Sequence, residues 1–114
     1  MSSKSPGSLY LGEFELLVLL AVLRLEDDAY GVTIRDALEA ETSREVALGA
    51  IYKTVGRLED KGYLASRLGE PTAQRGGRRK KLYRLEPAGS RALKQAVADL
   101  RRLTRGLGGA LEAL

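Results

Sequence analysis

LGAIYKTVGRLEDKGYLASRL, residues 48–68, holds in one run the elements that decide the fold. Ile51, Val55 and Leu58 stand at i, i+4 and i+7, one face of a helix over about Leu48–Lys61. Gly62 follows in the usual position of a helix end. Tyr63-Leu64-Ala65-Ser66-Arg67-Leu68 then reads as a short strand.

Toward the C-terminus, Gly69 to Arg79 is rich in Gly, Pro and Arg and reads as a loop. Lys80 to Leu85 alternates as a returning strand, with Tyr83 and Leu85 on one face, so the pair makes a hairpin with a long basic tip. Glu86-Pro87 opens a last helix, proline being favoured in the first turn. In it, Leu93, Val97, Leu100, Thr104, Leu107 and Leu111 step by 4, 3, 4, 3, 4, a heptad seam that Leu103 widens. Thr104 interrupts the seam, and Gly106, Gly108 and Gly109 weaken its end.

Toward the N-terminus, a second helix is predicted over about Ala29–Glu41, with Tyr30, Ile34, Ala37 and Leu38 as its stripe and Asp27-Asp28 as its cap. A first helix is predicted over residues 9–25. Leu16, Leu19, Leu20 and Leu23 recur at helical spacing, and Leu17, Val18 and Val22 fill much of the rest. A helix that is apolar nearly all round is covered on more than one side, here by a second copy of the chain. Residues 42–47 join the second and third helices, and Glu45-Val46 could add a third strand.

The order helix, helix, helix, strand, loop, strand, helix is that of a winged helix-turn-helix: mainly α with a small β-hairpin wing, followed by a C-terminal dimerisation helix. Residues 1–8 read as a disordered N-terminal segment, 9–86 as a DNA-binding domain and 87–114 as the dimerisation helix. The third helix is then the recognition helix.

Charge supports this reading. The chain carries 19 Lys and Arg against 15 Asp and Glu, a net +4. Residues 75–84 hold six of those cations and no acid, so the remainder is slightly acidic. A localised basic patch is the footprint of a polyanion binder, whereas a charge run without context is a solvated loop. The longest apolar run, residues 16–23, is too short for a bilayer, which needs about 20 residues. No signal-peptide segment is evident, and a cytoplasmic location is the default. With no His or Cys and no phosphate-binding glycine loop, an enzyme, a metal site and a cofactor are not expected.

The stretches AYGVTIRDAL (29–38), GAIYKTVGRLEDKGYL (49–64) and GGRRKKLYRLEPAGSRAL (76–93) together resemble the PadR family of bacterial transcriptional regulators. The resemblance spans roughly residues 9–100. Tyr-Gly before the second helix, Gly-x-x-Tyr opening the third, Arg-Leu-Glu-x-x-Gly closing it and Gly-Arg-Arg-x-x-x-Tyr-x-Leu in the wing carry it. It implies a repressor that binds a palindromic operator in double-stranded DNA as a homodimer, and for several members release by a small-molecule effector. Two helix starts depart from the family pattern: Val46-Ala47-Leu48 lacks a capping side chain, and Glu86 stands where Thr is common. The absence of Trp rules out ligand stacking between tryptophan rings at a dimer interface.

The expected DNA-binding residues follow. In the family the tyrosine matching Tyr52 lies at the DNA face. Gly49 lets the helix start approach the duplex. Lys53, Thr54 and Arg57 are expected to point away from the apolar stripe, with Arg57 reading guanine or a phosphate, or else pairing with Asp60. Thr33 is a further phosphate contact. Arg75, Arg78, Arg79, Lys80 and Lys81 form the wing patch. Tyr30, Tyr63 and Tyr83 are expected in the core. The dimer interface is expected at Phe14 and Leu17 of the first helix and at Leu93, Val97, Leu100, Leu103 and Leu107 of the last. The competing reading is a winged-helix module that binds protein or RNA and has no operator.

Overall fold

The computed structural model describes residues 11–70 and 79–114. The N-terminal segment 1–8 and the tip of the wing, with Arg75 and Arg78, lie outside the described residues. Helix α1 spans Glu13–Leu25 and runs into a 3-10 turn, Glu26–Asp28. Helices α2 (Gly31–Glu41) and α3 (Leu48–Asp60) follow, then strands β1 (Leu64–Leu68) and β2 (Lys81–Leu85), and helices α4 (Pro87–Thr104) and α5 (Gly108–Glu112). The strands pair antiparallel, with Leu64 opposite Leu85 and Leu68 opposite Lys81.

The core lies where the three helices meet the hairpin. Val18, Leu19 and Val22 of α1, Ile34 and Leu38 of α2, and Ile51, Val55 and Leu58 of α3 are buried together, with Leu64 and Tyr83 of the sheet and Ala92 and Leu93 of α4. The apolar stripe that defined α3 in the sequence is therefore the stripe that packs. In α1 the outcome differs. Its buried face holds Val18, Leu19 and Val22, while Leu20 and Leu23 are exposed. A helix apolar on every side gives periodicity no means of choosing between faces.

The helix ends explain other departures. α1 starts at Glu13, not at residue 9: Gly12 is extended, and its N–H donates to Glu15 Oε1 at 2.9 Å. α2 starts at Gly31, not Ala29, because Asp27 and Asp28 are taken up in the 3-10 turn and do not cap it. Thr33 does that work from inside the helix: its hydroxyl oxygen accepts from the Tyr30 N–H at 3.0 Å. Among the described residues there is no strand at Glu45-Val46. The open edge of β2 is met by Ala29 instead, whose carbonyl accepts the Tyr83 N–H at 2.8 Å. The Val46 N–H goes to the Glu39 carboxylate at 2.8 Å.

α3 starts at Leu48, and Ala47 ahead of it supplies no side-chain cap, as the missing hydroxyl there implies. It closes at Gly62, whose φ of 79° is the left-handed conformation that glycine adopts without strain. Pro87 is the first residue of α4. Gly89 lets that helix press onto the backbone just ahead of β1: a Cβ there would stand 2.2 Å from the Tyr63 carbonyl oxygen. The same oxygen accepts the Glu86 N–H at 2.9 Å.

The heptad seam of the last helix is not continuous. α4 ends at Thr104, the helix is interrupted at Arg105 and at Gly106 (φ 77°), and Leu111 belongs to a separate short helix, α5. The seam also divides along its length. Leu93 is buried in its own domain and Val97 packs on that core, while Leu100, Leu103 and Leu107 are exposed. Phe14 and Leu17 are half-buried against the same core.

Candidate nucleic-acid interface

The outward surface of α3 is built around Tyr52. Its side chain is half exposed, and its ring lies across the start of α2. A Cβ on Gly31 would stand 2.6 Å from Tyr52 Cε1 and 2.8 Å from the hydroxyl oxygen. The glycine after Tyr30 and the tyrosine of Gly-x-x-Tyr are thus two halves of one contact between the helices of the helix-turn-helix. Gly49 and Lys53 are exposed beside Tyr52, and a Cβ at Gly49 would meet nothing within 4 Å. No neighbour in the chain requires a glycine there.

Thr54 does not point outward. It is 2% exposed, in the same buried face as Ile51 and Leu58. Its spacing of three from Ile51 and four from Leu58 places it on the apolar stripe, and its polar side chain obscured that geometry. Its hydroxyl oxygen accepts from Arg57 Nη2 at 3.3 Å. Thr33 likewise turns inward to the chain: its hydroxyl donates to the Asp28 carbonyl at 2.5 Å.

Arg57 pairs not with Asp60 but with Glu15 of α1, Nε to Oε2 at 3.5 Å. Lys61, one turn further along, donates to both oxygens of the same carboxylate at 3.0 Å. Glu15 is buried, which disfavours its charged form. The Gly12 N–H and the two cations outweigh that burial and hold its pKa below the ordinary value of 4.5. Glu15 is the residue the sequence reading missed. Its signal was its place on the face of Val18, Leu19 and Val22, where a carboxylate needs a partner, opposite cations spaced i and i+4 on α3.

The base of the wing is tied to the same helix by Glu59. One carboxylate oxygen accepts the Ser66 hydroxyl of β1 at 2.7 Å, and the other is 3.6 Å from Lys81 Nζ of β2. Lys80 sets its ammonium 4.4 Å above the ring of Tyr30, itself half-buried rather than in the core. Tyr63 and Tyr83 are in the core as expected. Burial, then the nearby Glu59 and Tyr52, raise the pKa of Tyr83 above its usual range, so its hydroxyl stays protonated. Arg79, Lys80, Lys81 and Arg84 are all exposed. Arg84, one residue from Tyr83 on β2, projects from the opposite face to Lys81 and pairs with Glu86 at 3.4 Å.

A two-helix turn is thus braced on a β-hairpin, with a tyrosine, a glycine and two cations on the outward side of α3. Residues 19–95 match the model of the transcriptional regulator PadR-like family, well over half of the chain. The chain belongs to this family. A PadR-family regulator from Clostridium difficile covers 88% of this chain and 99% of its own, with a TM-score of 0.72 at 22% identity. One from Eggerthella lenta covers 89% and 85%, with a TM-score of 0.64 at 28% identity. Bacillus subtilis PadR in complex with operator DNA covers 75% of this chain and 48% of its own, with a TM-score of 0.60 at 23% identity. No curated protein sequence matches the chain. The PadR-like family is one of transcriptional regulators, not of enzymes. Among the described residues no helix is long and apolar enough to cross a membrane, and no cluster of acids could hold a metal ion.

Proposed function

We propose that this PadR-like regulator binds double-stranded DNA sequence-specifically as a homodimer, and that it represses from a palindromic operator. The observation that carries the reading is the outward face of α3. Tyr52, Lys53 and Arg57 are exposed on it, Gly49 leaves open space at its start, and the hairpin cations stand beside it. In this arrangement α3 enters the major groove, and Tyr52 donates its hydroxyl to a phosphate. Arg57 reads a base edge, and Arg79 with the other wing cations grips the backbone. Thr54 and Thr33 have no direct part, since one is buried and the other donates to Asp28.

The homodimer is supported by exposed leucines: Leu20 and Leu23 on α1, Leu100 and Leu103 on α4, and Leu107 and Leu111 around α5. A run of this kind on a small domain marks an interface. A twofold dimer places its two recognition helices about one helical turn of DNA apart, ~34 Å, which calls for a palindromic site. A dimer on such a site represses by occupying it. A groove of about 930 Å³ between α1 and α4, lined by Leu20, Leu23, Val97 and Arg91, is where a small effector would reach the dimer contact.

Anisotropy titration on duplexes drawn from binding-site selection tests the reading. The logarithm of affinity should fall with the logarithm of salt at a slope of about −0.9 per phosphate contact. A flat salt response, or equal affinity for every duplex and for a partner protein or RNA, would show an interaction module instead. Light scattering should return twice the mass of one chain, and Leu100→Glu with Leu103→Glu should halve it.

A further inference from the structure

Glu15 is a buried carboxylate that neither the apolar core nor the outward face of α3 explains. It sits in the first turn of α1, yet three of its partners lie elsewhere: Gly12 ahead of the helix, and Arg57 and Lys61 on α3. Taking a carboxylate out of water is costly unless it is fully partnered. Here the partners do not share it equally. Lys61 takes both oxygens at 3.0 Å, whereas Arg57 approaches one oxygen through Nε at 3.5 Å. Glu15 therefore does not sequester Arg57. It touches one edge of the guanidinium while Thr54 Oγ1 holds Nη2 at 3.3 Å, and the Arg57 side chain stays 55% exposed.

We propose that Glu15 is a positioning residue for DNA reading: with buried Thr54 it fixes the plane of the Arg57 guanidinium so that the exposed edge meets a base. The role rests on the DNA-binding reading given above. A free arginine side chain loses much rotamer freedom when it docks, and a planar fork already held in place loses less. A preset arginine also meets one base arrangement better than others, so its loss shows in discrimination more than in overall grip. The separation of tasks follows: wing cations hold any duplex, and the Glu15–Arg57–Thr54 set selects among them. Lys61 balances the charge so that Glu15 can remain ionised under Arg57.

The test uses the full chain and two labelled duplexes, the best sequence from binding-site selection and its scramble. Glu15→Gln keeps the shape and an acceptor for the Gly12 N–H, but loses the charge that aligns the guanidinium. The preference for the selected duplex should fall about tenfold, within what one arginine–base pair supplies. Affinity for the scramble should move less than about threefold, because the phosphate contacts remain. Arg57→Ala should lose the preference too, and Glu15→Gln added to Arg57→Ala should cost nothing further, the non-additivity of residues acting as one. A merely structural role would weaken both duplexes alike and add to Arg57→Ala, and that result overturns the proposal. Should Glu15→Gln fail to fold, Thr54→Val removes only the second contact. An unchanged preference in that variant overturns the proposal as well. A wild-type chain with no preferred duplex would instead sink the DNA-binding reading itself.

Discussion

Helices α3 and α4 are both strongly amphipathic, yet they use their apolar faces differently. The apolar face of α3 is spent: Ile51, Val55 and Leu58 are at most 1% exposed, and even Thr54 is inside. The face of α4 is spent only in its first half. Ala92 and Leu93 are buried, while Leu100 is 49% and Leu103 73% exposed. A helix whose apolar side is fully used can offer its other side to a ligand without compromising the fold. One whose apolar side is half used needs something else to cover it. The contrast teaches that the same heptad-like spacing marks an internal core in one place and an unmet surface in another, and that only the surroundings decide which.

The comparison can be broken first at its strongest point. Leu58→Ala, at a fully buried position of α3, should cost about 2–5 kcal/mol in urea unfolding, with the slope unchanged. A loss under 1 kcal/mol would mean that α3 is not committed to the core as described. The next effect is at the junction of α4 with the sheet. Gly89→Ala drives a methyl group into the Tyr63 backbone, which cannot swing aside, and should cost about 1–3 kcal/mol.

Acid sharpens the α1–α3 side of the contrast. The folded-state pKa of Glu15 lies below its unfolded value, so it contributes stability above about pH 4.5 that is lost as pH falls through the depressed value. The unfolding midpoint should therefore drop below that pH, and Glu15→Gln should flatten this part of the profile. A steeper profile in the variant would contradict the assignment. On α4, Leu103→Ala should change the stability of the single domain by less than about 0.5 kcal/mol, since the side chain touches little of its own core. If dilute, monomeric protein loses as much as with Leu58→Ala, the two helices are not different after all.

Gly31→Ala is expected to act on DNA affinity more than on stability. Its obstacle is the far end of the Tyr52 side chain, which is half exposed and can move. Stability should change by less than about 1 kcal/mol, the scale of a glycine-to-alanine exchange in a helix. On the proposed reading, in which the Tyr52 hydroxyl meets a phosphate, duplex affinity should fall by about threefold to tenfold. An intact affinity would remove Tyr52 from the DNA face.

Much of the fold was legible because its signals are local. Ile51, Val55 and Leu58 report one face of a helix, Gly62 reports its end, and Pro87 reports the start of α4. What was not legible depends on contacts between distant residues. Glu15 meets Arg57 and Lys61 across 42 and 46 positions, and no window of local periodicity spans that distance. The edge of β2 is completed by Ala29, which carries no strand signature at all. In Thr54 the spacing was right and the residue type misled. The break at Arg105–Gly106 was visible as a weakness from the glycines, but not as the helix end that interrupts the seam before Leu111.

Glu59 has a consequence for the size of the target. Because one carboxylate reaches both strands of the wing base from α3, the hairpin base and that helix are tied together like the arms of a calliper. On the proposed reading, a groove wider or narrower than the span of those arms is penalised even where every base is correct. The width and stiffness of the duplex between the two contacts, which no side chain of α3 touches, then become part of what this chain selects.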